Sequence, residues 1–364
     1  GIYGVENVRV VILYPDGKVS PLQEAQMTTL GGNIHPLKVA GNFDDCQNGV
    51  KAIFGNGEAA KELDSKGVFL SSANSINWGR LAPQIVYYIS AYCDMLNSGD
   101  IKFGETVNVC VPTGNFGNIF AAYLAKLMGL PIAKLICASN ANNVLTDFIN
   151  TGKYDRNRSF FTTISPSMDI LISSNLERML YELTDHNDKQ VAAWQNSLKS
   201  EGKYTVTEDV LAKLKDLFFG GFCDEDKTSA TIKEIFDKFG YLIDTHTAVA
   251  VSVYNDYKEQ TGDNRPVVIA STASPYKFAN SVLEALGEEV PENEFEAADK
   301  LSDKTNTKIP APLAAIRTAA VRFNNVCEKD DRDTVTDTVL IDLLSQPHDD
   351  RSTGAVGQNQ HHVS

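Results

Sequence analysis

A tight turn within residues 106–127 (TVNVCVPTGNFGNIFAAYLAKL) has the composition of an anion-binding site. The turn consists of Gly114, Asn115, Phe116 and Gly117, and it joins an apolar run to an alanine-rich stretch of helical composition. Glycines admit backbone angles that other residues resist, so N–H groups can converge on a phosphate, and a helix N-terminus adds a favourable dipole. The spacing matches neither G-x-G-x-x-G nor G-x-x-x-x-G-K-[ST]. A phosphate cradle and an ordinary strand-to-helix turn therefore explain the tetrad equally well.

A second polar segment covers residues 72–84 (SANSINWGRLAPQ). Asn74 and Ser75 are compact hydrogen-bonding side chains just before an expected helix, and Arg80 falls near its first turn. The planar guanidinium of arginine can hold phosphate oxygens at two points, and short hydroxyl and amide groups can complete such a shell. However, Asn and Ser are also common helix caps, and an arginine on a helix is usually solvated. Taken alone, the segment favours the structural interpretation.

Hydroxyl groups follow the buried strand expected at residues 267–270. Ser271, Thr272 and Ser274 come where that strand ends, and Pro275 opens the next helix. Open α/β sheets bind ligands at the carboxyl ends of their strands, so these hydroxyls are candidates to contact a ligand. Ser274 can at the same time be an N-cap.

The elements that must position these residues alternate along the chain. Short β-branched runs and longer helical segments follow each other, a pattern typical of an α/β protein with parallel strands. Strands are expected at 8–13, 34–39, 68–70, 107–111, 134–138 and 267–270, and helices near 21, 44, 81, 119, 142, 209, 229, 247 and 276. One histidine, His246, begins a helix, and we expect it to be structural.

Composition indicates a globular protein without metal or disulfides. Of 364 residues, 43% are hydrophobic and 22% charged, and the six cysteines form no C-x-x-C pair, which suits reduced, buried thiols. No apolar run approaches the roughly 20 residues needed to cross a bilayer. The formal net charge of -14 argues against nucleic-acid or anionic-membrane partners. We therefore expect a cytoplasmic protein with a small-molecule ligand.

Together and in this order, the polar segments resemble threonine synthases of the bacterial and fungal type. The resemblance runs over about residues 8–325 and is carried by YPDGKVSPLQ, TLGGN, NSINWGR, PTGNFG, DTHTA and STASPYKF. That family belongs to the fold type II pyridoxal 5'-phosphate enzymes, which implies a two-domain, tryptophan synthase β-like architecture with parallel sheets flanked by helices. Thr245 stands where proline is usual and Ser274 where histidine is frequent, and both departures are modest.

The resemblance also implies a role for each polar segment. The turn 114–117 would cradle the phosphate of the cofactor, and Thr272 would hydrogen-bond its pyridine nitrogen as a neutral partner. Asn74, Ser75 and Arg80 would bind the phosphate of the substrate, O-phosphohomoserine. The implied reaction is γ-elimination of phosphate followed by addition of water at the β carbon, which gives L-threonine and completes its biosynthesis.

The lysine that forms the Schiff base in this family lies in a PTLAFKD-like motif, followed by an SGDTG-like motif, and neither occurs in the sequence. We therefore expect an N-terminally truncated chain that is inactive alone, with that lysine upstream of residue 1. Residues 1–66 would be the remainder of a smaller mobile domain and 67–325 most of the cofactor-binding domain. Residues 326–364 would be a poorly ordered acidic and polar tail.

Two alternatives remain open at this stage. Another fold type II enzyme, such as a cysteine synthase or a dehydratase, would share the phosphate cradle but has no use for the polar shell at residues 74–80. A non-catalytic protein that binds a phosphorylated ligand would need no lysine. The sequence leaves open a monomer or a homodimer.

Overall fold

The computed structural model describes residues 4–323 and 326–328, and the contacts among them divide the chain into two compact units. The first unit combines the residues up to Leu70 with those from Ala311 onward, and the second is the continuous segment Ser71–Pro310. This division differs from the domain boundaries expected after residues 66 and 325. The difference arises because residues 311–323 pack with the N-terminal unit.

The first unit is built on a three-stranded parallel sheet, in the order β1-β2-β9. Its first helix begins where the sequence predicts, because Ser20 caps it by accepting from the Gln23 N–H (3.3 Å) and Pro21 takes the first helical position. The elements are β1 (Val10–Pro15), α1 (Pro21–Thr28), β2 (Ile34–Ala40), α2 (Phe43–Gly55), α3 (Gly57–Ser65), α15 (Ala311–Ile316) and β9 (Val326–Glu328).

Two expectations for the first unit were wrong. Residues 68–70 form no strand; Val68 and Leu70 instead lie against Ala59 and Leu63 of α3. Residues 326–328, expected in a poorly ordered tail, form β9 and pair with β2, with Cys327 buried beside Val39. Burial of this apolar side chain explains the pairing. The rest of the expected tail, 329–364, lies outside the described residues.

The second unit contains a four-stranded parallel sheet in the order β7-β4-β3-β8, together with a small antiparallel pair, β5-β6. The α/β architecture with parallel sheets flanked by helices is thus confirmed. Its strands are β3 (Val107–Pro112), β4 (Ile132–Ser139), β5 (Lys153–Asp155), β6 (Lys203–Thr205), β7 (Phe218–Phe222) and β8 (Val267–Ile269). Its helices are α4 (Trp78–Leu81), α5 (Ile85–Ser98), α6 (Gly117–Leu127), α7 (Val144–Thr151), α8 (Leu176–Leu183), α9 (Asp188–Glu201), α10 (Glu208–Leu217), α11 (Glu225–Phe239), α12 (Thr245–Thr261), α13 (Ala279–Ala285) and α14 (Glu294–Thr305), with short 3-10 turns at Ala82–Gln84, Pro166–Met168 and Pro275–Phe278.

Alternate residues of the central strands face two different cores, as the two-residue period of a strand requires. Val109 and Val111 of β3 pack on the face that carries α6 and α7, whereas Cys110 faces Val249 and Val253 of α12. Every residue of β3 is buried. A parallel strand that is covered on both faces needs a largely apolar sequence, and β3 has one apart from Asn108, which explains why it was predictable.

The described residues show no membrane or metal signature. None of their helices has the length and apolar character needed to span a bilayer. No group of three or more potential His, Cys, Asp or Glu ligands comes together among them. All six cysteines are free, and Cys93 differs from the expected burial because it lies on the exposed side of α5.

Candidate functional site

The carboxyl ends of β3, β4 and β8 lie along one edge of the parallel sheet of the second unit. The register pairs Cys110 with Ile269, and the Ala270 N–H donates to the Cys110 carbonyl at 2.9 Å. The turn 114–117 follows β3 and Thr272 follows β8, so both come at this edge. Ligands of open α/β sheets bind at such edges.

The turn at 114–117 leads directly into α6. Phe116 caps the helix with a left-handed backbone (φ 66°), and its buried ring contacts Phe218. The Asn115 Oδ1 accepts from the Gly117 N–H at 2.9 Å. Within the described part of the chain, the next two amides of α6 donate to no protein acceptor. The helix N-terminus is therefore open to an anion.

The two glycines of this turn are needed for close packing rather than for unusual backbone angles. Neither has a positive φ, so the expectation that the glycines supply such angles was wrong; Phe116 does so instead. A Cβ on Gly114 would lie 2.9 Å from the Ser167 carbonyl oxygen. A Cβ on Gly117 would lie 2.8 Å from the Cβ of Ser75. Both positions exclude a side chain.

The segment with Asn74, Ser75 and Arg80 lies against this turn. Ser75 is buried and touches Gly117, so two residues that are 42 positions apart in the sequence (117 − 75) form one surface. The Asn74 Oδ1 accepts from the Ile76 N–H at 3.0 Å and thereby shapes the backbone. Arg80 is exposed, and its Nη1 donates to the Ala73 carbonyl at 2.6 Å. Its guanidinium is thus held beside the segment that precedes it.

Thr272 is exposed at the sheet edge, while its neighbours are held by hydrogen bonds. The hydroxyls of Ser271 and Thr247 lie 3.0 Å apart. The Ser274 Oγ accepts from the Tyr276 N–H at 3.3 Å, so the predicted N-cap at Ser274 is confirmed. Thr272 therefore presents a neutral hydroxyl from a fixed backbone.

His246 has the geometry of a structural histidine. It is buried, its Nε2 accepts from the Ser167 N–H at 3.2 Å, and its Nδ1 lies 3.2 Å from Asp244. These contacts assign the proton to Nδ1. Burial raises the pKa of Asp244, but hydrogen bonds from His246 and Thr247 outweigh that effect and lower it. The pair fixes Ser167, whose carbonyl faces Gly114.

A polar network that the sequence analysis missed anchors the long loop 156–175. Asp169 Oδ1 accepts from Asn140 Nδ2 (2.8 Å), Asn142 Nδ2 (3.0 Å) and Thr163 Oγ1 (2.7 Å). A connection of this length is uncommon unless it has a function. The loop reaches the turn, since the Ser173 Oγ donates to the Gly114 carbonyl at 2.8 Å. Asn175 and Arg178 lie at the start of α8, directly after this loop. The sequence did not predict a role for either residue.

Comparison with known proteins finds threonine synthases and threonine synthase-like proteins. The family model described as threonine synthase, C-terminal, matches residues 247–339. The chain is 44% identical over 284 residues to human threonine synthase-like 1, and the match covers 77% of this chain and 38% of that protein. It is 38% identical over 322 residues to the threonine synthase of Pseudomonas aeruginosa, covering 88% of this chain and 66% of that enzyme.

A solved structure gives the same result. The crystal structure of PLP-bound threonine synthase from Brucella melitensis superimposes with a TM-score of 0.78 at 38% identity, covering 92% of this chain and 66% of that one. The chain spans 38% of the length of the human relative and 66% of the bacterial ones.

Proposed function

Because the chain belongs to the threonine synthase-type family of fold type II pyridoxal-phosphate lyases, we propose that it carries the phosphate-binding residues of a threonine synthase. The reaction is the conversion of O-phospho-L-homoserine and water into L-threonine and phosphate. The observation that carries this proposal is the contact between Ser75 and Gly117, which makes one surface of two motifs that each suit a phosphate.

The turn 114–117 fits the phosphate of pyridoxal 5'-phosphate. Gly114 and Gly117 leave no room for a side chain, and the open amides at the start of α6 supply donors and a favourable dipole. Thr272 would hydrogen-bond the pyridine nitrogen without giving it a proton, because an alcohol hydroxyl is a much weaker acid than a pyridinium ion. When bound, the cofactor would supply an electron sink for the carbanions of the reaction.

Asn74, Ser75 and Arg80 would hold the phosphate that leaves the substrate. The Ser75 Oγ accepts from the Asn175 Nδ2 at 3.0 Å, so its own proton is left to donate to a phosphate oxygen. Arg80 adds a charge-assisted donor on the exposed side. These groups bind the phosphate before and after its departure, and Arg80 favours departure because it stabilises the developing charge.

The test is a chimera in which an N-terminal region that carries the PTLAFKD-like and SGDTG-like motifs of the family precedes this chain. We expect phosphate release and L-threonine from O-phosphohomoserine, and no turnover of O-acetylserine or serine. Turnover of O-acetylserine or serine, together with no turnover of O-phosphohomoserine, would instead identify a cysteine synthase or a dehydratase. Binding of the phosphorylated substrate to a folded chimera without turnover would favour the non-catalytic alternative.

A further inference from the structure

Asn175 connects the two segments assigned to phosphate binding. The side chain is fully buried just before α8, and its Nδ2 donates to the Ser75 Oγ and to the Asn115 carbonyl, each at 3.0 Å. Its backbone N–H donates to the same Asn115 carbonyl at 3.0 Å. One residue thus holds a group from each segment, although Ser75 lies 100 positions away.

The chemistry of these partners requires an amide at position 175. The two partners of Nδ2 at 3.0 Å are oxygen atoms that act as acceptors, and the Ser174 Oγ lies farther away at 3.5 Å, so the residue must offer two N–H donors. The Oδ1 atom accepts from Arg178 Nη1 at 2.7 Å, which fixes the orientation of the amide group. An aspartate has the same shape but no donors, and it would face both oxygens with a negative charge.

Arg178 completes the connection from the first turn of α8. Its Nη1 donates to the Ser75 carbonyl at 3.0 Å, and its Nη2 donates to the Ile76 carbonyl at 2.6 Å. The backbone of the substrate segment is therefore held by Arg178, while the hydroxyl of Ser75 is held by Asn175. Together these bonds fix the position of the Ser75 backbone and of its hydroxyl oxygen.

We propose that Asn175 is a positioning residue that fixes the substrate-phosphate segment against the cofactor-phosphate turn. This inference rests on the proposed function, because it assigns the Ser75 hydroxyl to the substrate. Because Ser75 accepts from Asn175, its own proton remains available to donate to the phosphate. The two phosphate sites are then held at one fixed separation, which lets the substrate bind beside the cofactor.

The first test needs no ligand. Hydrogen exchange measured by mass spectrometry should show that Asn175→Asp raises exchange in residues 71–81 by about tenfold and leaves β3 and β4 protected. The matched control is Asn150→Asp, which removes a donor to the Gly220 carbonyl far along the chain from both segments. Unchanged exchange in 71–81 would overturn the proposal, whatever the enzyme does.

The second test uses the active chimera and separates positioning from general stability. Asn175→Asp should raise KM for O-phosphohomoserine by about tenfold and change kcat by less than about threefold, because substrate binding is affected more than the later steps. In a Ser75→Ala background the same substitution should have a much smaller effect, since both act through one hydroxyl. If the double variant raises KM by the product of the two single effects, the two residues act independently and the proposal is overturned.

A third variant covers the case in which Asn175→Asp does not fold. Arg178→Leu removes the donor that orients the Asn175 amide and should raise both the exchange of residues 71–81 and KM, while leaving the buried Asn175 donors present. If Arg178→Leu changes neither the exchange of residues 71–81 nor KM, the proposal is overturned. A chimera that turns over no substrate while both variants raise exchange would contradict the proposed function and support the role of Asn175.

Discussion

At the scale of single residues, the contact between Ser75 and Gly117 determines what the site can accommodate. Ser75 is small enough to lie against a backbone that has no Cβ, and its hydroxyl is bonded to Asn175. The restriction is mutual, because any larger residue at either position would push the two segments apart. Interiors are packed tightly enough that even one methyl group is felt.

Gly117→Ala should therefore weaken cofactor binding. The added Cβ would lie 2.8 Å from the Ser75 Cβ and 2.9 Å from its Oγ, so the turn must move, at about 1–3 kcal/mol of folding stability. Gly57→Ala is the control, because a Cβ there meets open space. We expect pyridoxal phosphate affinity to fall at least about tenfold in the first variant alone. Equal affinity in both variants would refute the steric argument.

Arg80→Leu should impair the use of the substrate but not the binding of the cofactor. A charge-assisted hydrogen bond contributes about 1.5–3 kcal/mol, which corresponds to about one to two powers of ten in kcat/KM for O-phosphohomoserine. The kcat/KM of Arg80→Lys should lie between that of the wild type and that of Arg80→Leu, because lysine keeps the charge and loses the planar guanidinium. Arg156→Leu, at the end of β5, serves as the control. Loss of cofactor affinity with unchanged substrate kinetics would contradict the assignment.

The sequence predicted the parts of the candidate site that have a local signal. The turn 114–117 is recognisable because glycines, a strand and a helix follow each other directly. Asn175 and Asp169 have no such signal, since Ser75 lies 100 positions from Asn175 and Asn140 lies 29 positions from Asp169, and only the fold brings these pairs together. The role of Phe116 in supplying the left-handed backbone was also hidden, because propensity favours glycine there.

At the scale of elements, β7 shows why the four-stranded sheet was predicted only in part, since no strand was expected at residues 218–222. Its sequence, FFGGF, lacks an apolar pattern because two glycines interrupt it. A Cβ on Gly220 would lie 3.1 Å from the Ile149 Cβ in α7, and one on Gly221 would lie 2.7 Å from Val253 Cγ1 in α12. Two helices approach this strand closely from its two faces. Tertiary packing therefore requires glycine at both positions, and this requirement cannot be predicted from the strand sequence alone.

Asn108 is a second element-scale feature, a polar residue in the middle of a fully buried strand. The register of β3 and β4 shifts at this point, and the Lys134 N–H donates to Asn108 Oδ1 at 3.1 Å. The Asn108 Nδ2 donates to Asp263 Oδ2 at 3.0 Å, and the Tyr257 hydroxyl donates to the same atom at 2.6 Å. The carboxylate thus joins β3 to the end of α12.

Asp263→Asn should lower the free energy of unfolding at pH 7 by about 1.5–3 kcal/mol, because a partly buried charged acceptor is lost. Burial raises the pKa of Asp263, but hydrogen bonds from Tyr257, Arg265 and Asn108 outweigh it and hold the pKa well below its usual range. A lowered pKa stabilises the folded state above the unfolded value of about 4, and this contribution is lost as pH falls further.

Urea unfolding between pH 7 and pH 3 measures this effect. The difference between the wild type and Asp263→Asn should narrow as the pH falls below about 4. The exposed Asp94 gives the control substitution Asp94→Asn, which should change the unfolding free energy by less than about 0.5 kcal/mol. A constant difference for Asp263→Asn over the whole pH range would show that its carboxylate does not act through its charge.

At the scale of the whole molecule, the two units differ in how the chain builds them. The first needs both ends of the described chain: β9 pairs with β2, and the Arg322 N–H donates to the Thr28 carbonyl at 2.9 Å. The second is one continuous segment with its own sheet and a core on each face. Every residue proposed to bind a phosphate lies in the second unit.

The fragment Ser71–Pro310 should therefore fold and bind pyridoxal phosphate on its own. It keeps the four-stranded sheet and the contacts around Gly117, so its unfolding in urea should be cooperative, and its affinity should lie within about threefold of that of the whole chain. A fragment that ends at Leu70 should stay unfolded, because it lacks β9 and the buried Cys327. A soluble fragment 71–310 that unfolds without cooperativity, or binds more than about tenfold more weakly, would show that the second unit depends on the first.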